Sequence, residues 1–163
     1  MKKVIALFAV LVFISHVYGQ DVQESTTKSN EFGSHLGATT GIGLSYRHWF
    51  KNVGVQFTVL PINTSDLTFV SAAITGLYSL KETKSVRAYF YLGNHFLYSE
   101  TRNNDYPDNN ETKYKRQYNI GFGPGFSFGS VVGFNLMFGY GLYDVFNKFY
   151  MFPTGEIGLY FKF

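Results

Sequence analysis

Residues Thr154–Phe163 alternate without a break: Ile157, Leu159, Phe161 and Phe163 fall on one face, and Glu156, Gly158, Tyr160 and Lys162 on the other. A period of two marks a β-strand, because successive Cβ atoms of an extended chain point to opposite sides. The same split runs through Tyr118–Phe128, where Tyr118, Ile120, Phe122, Phe126 and Phe128 oppose Asn119, Gly121, Gly123, Gly125 and Ser127. In Val132–Leu142, Val132, Phe134, Leu136, Phe138, Tyr140 and Leu142 oppose Gly133, Asn135, Met137, Gly139 and Gly141. Val86–Ser99, Val53–Leu60 and Gly41–Phe50 repeat the pattern, and Thr68–Leu80 shows it more weakly.

The character of the second face decides the fold. A water-soluble sandwich packs its apolar face into a core and turns Lys, Glu, Thr and Ser toward water. Here the second face is Gly, Tyr and Asn with a few isolated charges. Bulky side chains opposite small ones describe a sheet whose greasy side faces lipid and whose other side is crowded inside a narrow tube. In hydrocarbon each unsatisfied backbone group costs several kcal/mol, so such a sheet must close, and bacterial single-chain barrels close with an even strand count. Seven strands therefore require an eighth, placed at Phe32–Thr39 and turning through Thr39–Gly41. The expectation is an all-β, eight-stranded antiparallel up-and-down transmembrane β-barrel over residues 32–163. Small residues such as Gly121–Gly125 leave room for inward Tyr side chains such as Tyr89 and Tyr91.

Composition supports this and closes other routes. Charged residues are 15% of the chain, against about a quarter in soluble domains, while 18 Phe and 13 Tyr are far too many for a disordered chain. With no Cys there is neither a disulfide framework nor a thiolate metal site or nucleophile. A formal charge of +3 is too small for a nucleic-acid reader, and it shrinks further if the leader is cleaved.

That leader is read at residues 1–19. Lys2 and Lys3 precede an unbroken apolar run, Val4–Ile14, followed by Val17 and Gly19 ahead of a cut before Gln20. This is the pattern of a signal peptide, too short to span a bilayer. Its removal takes two of the 14 basic residues and leaves 12 against 11 acidic ones. Residues 20–31 are read as a flexible periplasmic segment, and the bacterial outer membrane as the destination. Links at 48–52, 81–85 and 129–131 are short, whereas those at 61–67, 100–117 and 143–151 are longer, so tight turns face the periplasm and loops face outward.

The terminal run Glu156-Ile157-Gly158-Leu159-Tyr160-Phe161-Lys162-Phe163 resembles the assembly signal of bacterial outer-membrane barrels: a polar residue, Gly two later, an aromatic three beyond that and a final aromatic. With the leader and the strand pattern, the chain is similar to small OmpA/OmpX-type eight-stranded barrels. The resemblance implies recognition by the barrel-assembly machinery through Glu156, Gly158, Phe161 and Phe163.

Candidate sites follow from the faces. Arg47, Arg87, His95, Glu156 and Lys162 point inward, where charges must pair, so they are expected to form an interior polar network that fixes register and fills the lumen; a proton or ion path is the functional alternative. An open solute pore belongs to barrels of about 16 strands. A hydrolase would need His, nucleophile and acid side by side. The best set, His95, Tyr98, Ser99 and Glu100, is split between two faces and a loop. His48, Trp49, Phe50, Tyr78 and Leu80 at the turn end, with Tyr98, Tyr118, Tyr140 and Tyr143 at the loop end, read as aromatic girdles. Lys115 and Arg116 are candidate contacts for lipopolysaccharide phosphates. The acidic residues of the 100–117 loop are spaced too irregularly for a calcium site, and no cofactor is expected. The expected role is structural or one of surface interaction through external loops, not enzymatic, with outer-membrane lipid, lipopolysaccharide and the assembly machinery as partners, no nucleic acid, and a surface ligand that the sequence does not identify. The alternatives are a lipid-modifying barrel enzyme and a soluble periplasmic barrel that binds a small apolar ligand.

Overall fold

The computed structural model describes residues 29–102 and 112–163. The leader, the segment 20–28 and the middle of the longest loop lie outside the described residues. Eight strands run in chain order: β1 (Asn30–Gly37), β2 (Gly41–Phe50), β3 (Val53–Asn63), β4 (Leu67–Glu82), β5 (Val86–Arg102), β6 (Thr112–Phe128), β7 (Val132–Tyr143) and β8 (Tyr150–Lys162). Each pairs antiparallel with its sequence neighbours, and β1 pairs with β8, so the sheet closes as an up-and-down barrel.

The register fixes the shape. Stepping from partner to partner around the wall leads from Phe161 through Phe32, Tyr46, Phe57, Ile74, Asn94, Ile120 and Leu142 back to β8 at Met151. The line leaves β8 at residue 161 and returns at residue 151, a stagger of ten residues. With a rise of roughly 3.3 Å per residue and strands roughly 4.8 Å apart, that stagger tilts eight strands by about 41°. Each residue then climbs about 2.5 Å along the axis, and ten residues climb about 25 Å, the height of an outer-membrane apolar band.

The two faces divide as the alternation requires. Phe57, Ile74, Leu92, Phe138 and Leu159 are half-exposed on the outside, and Gln56, Tyr89, Met137, Asn135 and Tyr160 are buried inside. The small inward residues serve the packing expected of them: a Cβ on Gly125 would land on the Tyr89 ring, 2.8 Å from its hydroxyl.

Three expectations are corrected. The barrel starts earlier than residue 32, because Asn30 and Glu31 belong to β1 and Glu31 is fully buried. Trp49 is no girdle residue: it lies two positions beyond inward Arg47, so it too points inward, is buried, and packs where Gly54 leaves space. The links at the loop end are also shorter than 61–67 and 100–117. Residues 64–66 alone join β3 to β4, Thr64 and Leu67 being tied by reciprocal hydrogen bonds, and β5 and β6 run on to Arg102 and from Thr112. The wall is consequently uneven, 16 or 17 residues long at β4, β5 and β6 but only 8 at β1.

Candidate functional site

The interior is filled in two layers. At the turn end Glu31 is the hub: its carboxylate accepts from Arg47 Nη1 at 3.1 Å, Arg87 Nη1 at 3.3 Å and Trp49 Nε1 at 3.2 Å. Arg47 donates from Nε and Nη2 to Gln56 Oε1 at 3.1 and 2.6 Å. Its guanidinium also lies over the rings of Tyr160 (4.4 Å) and Tyr89 (5.5 Å), and Tyr89 hydrogen-bonds the Asn135 amide. Arg87 stacks on Trp49 at 4.0 Å and donates to Glu82 at 2.5 Å. Two guanidinium groups thus face two carboxylates, with aromatic rings in place of water, which is what a buried charge requires.

The second layer is built around a turn that folds into the tube. The three residues joining β1 to β2, Ala38, Thr39 and Thr40, do not reach outward; Thr39 and Thr40 are completely buried. Their seat on the opposite wall is made of glycines: a Cβ at Gly93 would lie 2.6 Å from Thr40 Cγ2, and one at Gly141 2.8 Å from Thr39 Cγ2. Gly41, at φ 89°, supplies the left-handed backbone that lets the chain leave the turn into β2.

Glu156 holds this turn. Its carboxylate accepts from the Thr39 amide at 3.2 Å, from the Thr39 and Thr40 hydroxyls, and from Thr154 Oγ1 at 3.2 Å. His35 Nε2 lies 2.5 Å from Thr40 Oγ1 and 3.6 Å from Glu156. On the far side the Ala38 carbonyl accepts from His95 Nδ1 at 2.8 Å and Asn119 Nδ2 at 2.9 Å. With Nδ1 donating, His95 Nε2 accepts from Ser71 Oγ at 2.9 Å, and Ser71 in turn accepts from the Ile42 amide. Every backbone group of the turn named here finds its partner in an inward side chain.

The candidate residues fall as follows. Arg47 and Arg87 meet on Glu31; Glu156 and His95 lie in the upper layer on opposite sides of the turn; Lys162, at the turn end, donates to the Gly129 carbonyl at 2.7 Å. His95 is fully buried beside the turn, against the Ala38 carbonyl, whereas Tyr98 points to the other face of β5 and donates to Glu100 at 2.7 Å, so His95 does not come together with Tyr98 and Glu100. Lys115 and Arg116, adjacent in β6, stand on opposite faces of it. Arg116 lies outside beside the rings of Tyr98 (5.7 Å) and Tyr114 (6.0 Å). Phe161 and Phe163 are outward and stacked at 6.3 Å, while Gly158 is inward, beside His35 and Tyr160. Among the described residues no group of three His, Asp or Glu gathers as a metal site.

Sequence reasoning missed Glu31, His35 and Gln56, the inward place of Trp49, and the inward fold of the turn it set at Thr39–Gly41. Glu31 and His35 share one parity, and carrying the alternation one residue back from Phe32 finds Glu31. Nothing in a three-residue turn announces that it will fold inward.

No family model and no curated protein matches the chain. Solved structures do. The N-terminal β-barrel domain of OprF from Pseudomonas aeruginosa matches with a TM-score of 0.50 at 14% identity, over 82% of this chain and 95% of that one. Neisserial surface protein A, NspA, matches at 0.48 with 12% identity over 82% and 93%. Ail, the attachment invasion locus protein of Yersinia pestis, matches at 0.45 with 16% identity over 82% and 93%. At such identities the likeness is one of fold, and the OprF domain carries it.

Proposed function

We propose that this chain is a bacterial outer-membrane barrel with a structural or surface-interaction role exercised at its loop end, acting neither as an open pore nor as an enzyme. The observation that carries the reading is the inverted wall: large apolar side chains cover the outside, and charged and polar groups fill the inside to the axis. Such a surface is stable against acyl chains and aggregates in water. The filled lumen speaks against solute passage. The burial of His95 and Glu156 against the turn speaks against catalysis there, since no substrate reaches them. Arg116, held beside Tyr98 and Tyr114 on the outer face, is the residue placed to meet a lipopolysaccharide phosphate, whereas Lys115 faces the mouth.

The mature chain is expected to need detergent for solubility and to migrate faster unboiled than boiled on a denaturing gel, because a closed barrel keeps its hydrogen bonds in detergent. A monodisperse protein in plain buffer would overturn the membrane reading and favour a soluble barrel. Removal of Phe163 is expected to cut insertion by the assembly machinery severalfold while leaving refolding into detergent intact. Equal insertion of the truncated chain would remove the assembly role given to Phe161 and Phe163. Unchanged lipid A on expression is the matching expectation for a non-enzyme.

A further inference from the structure

The uneven wall leaves a notch. Beyond Ile157, the last β8 residue with a partner on β1, residues 150–156 pair with β7 alone; beyond Val59, the last β3 residue paired to β2, Leu60–Asn63 pair with β4 alone. By the tilt and rise above, β1 and the start of β2 stop short of β8 and β3, the strands that bound the gap, β1 by about 10 Å, at a height still inside the apolar belt. The inward turn floors the gap. An exposed strand edge invites another strand, yet both edges here carry proline, Pro61 and Pro153, which blunts such pairing.

Above the floor, inward positions grade from apolar to cationic. One row of cross-strand partners reads Ile62, Phe69, Ser99, Lys115, and the next reads Leu67, Thr101, Lys113. Leu97 and Phe152 share this inward parity, so the apolar lining runs from Ile62 beside the notch, roughly three strand spacings or about 14 Å along the wall from the strand that carries the two lysines, through Phe69 and Phe152 at two spacings to Leu97 on the adjacent strand. We propose that this vestibule holds one long-chain anionic amphiphile from the surrounding leaflet. Its acyl chain enters through the notch against Ile62, Phe69, Leu97 and Phe152, and its anionic headgroup rests on Lys113 and Lys115. The inference rests on the bilayer placement proposed above.

The test uses the mature chain refolded into phosphatidylcholine vesicles, with palmitic acid carrying a terminal diazirine as probe and the corresponding amide as its uncharged control. Photolabelling by the acid is expected on the inward residues Ile62, Phe69 and Leu97, and to fall at least fivefold in the double variant Lys113→Glu, Lys115→Glu, with labelling by the amide unchanged. Labelling of the outward belt at Phe57 and Ile74 without the vestibule would overturn this inference alone. Labelling of neither would overturn the bilayer placement as well. Chain-to-chain crosslinks across Pro61 and Pro153 in place of lipid adducts would assign the notch to a second copy and end the proposal. Heat-modifiable migration of the variant shows that it has folded.

Discussion

Replacing Glu31 by Leu is expected to cost the barrel about 3–5 kcal/mol, the range for removing one partner of a buried ion pair. The substitution leaves Arg47 charged, fully buried and without its carboxylate, and it strips Arg87 and the Trp49 indole of the same acceptor. Arg87 keeps Glu82; Arg47 keeps the Gln56 amide and two ring faces, which do not neutralise it. The measurement is the urea midpoint of reversible unfolding in lipid vesicles, read by unboiled gel migration. Adding Arg47→Met to the Glu31→Leu chain is expected to recover part of the loss, because a buried cation without an anion is worse than none. A loss under about 1 kcal/mol, the value of a solvated surface pair, would show that water reaches the hub and that this layer is no seal.

The outside of this protein was legible in its sequence and the inside only in part, for a physical reason. A lipid-facing strand must be apolar at every second residue, which imposes a pattern on whole segments, so Tyr118–Phe128 and Thr154–Phe163 declare their faces without help. Closure then supplied the eighth strand, since hydrocarbon tolerates no edge. The interior obeys a looser rule: its polar groups must find partners, but those partners come from anywhere around the circumference. Arg47 and Arg87 were visible as inward charges, yet the carboxylate that joins them lies 16 and 56 residues away. Trp49 was assigned by residue type, as an aromatic near a strand end, when its parity with Arg47 carried the better information. The turn at Thr39–Gly41 was legible but its inward fold was not, because that fold depends on Gly93 and Gly141, whose missing side chains matter only once the wall has closed around them.

The turn gives the second large prediction. Glu156→Leu is expected to release Ala38–Thr40 from the lumen, since it removes in one step the acceptor for the Thr39 amide and for three hydroxyls. Each buried donor left unsatisfied costs about 1–3 kcal/mol, so the turn gains more by moving out to water than by staying. Amide exchange at Thr39 reads this directly: slow in the parent chain, it is expected to accelerate at least a hundredfold in Glu156→Leu and less in Glu156→Gln, which keeps one acceptor oxygen. Exchange at Tyr91, in the wall below the turn, should change far less, and equal acceleration there would mean general loosening rather than release of a plug. Release alone is not expected to open the tube, because Arg47 between Tyr89 and Tyr160 still blocks the axis beneath. Ion conductance in planar bilayers should therefore appear only when Glu156→Leu is combined with Arg47→Ala, in a chain that still shows heat-modifiable migration. Conductance from Glu156→Leu alone would show that the turn is the sole barrier and that the lower layer serves stability without sealing.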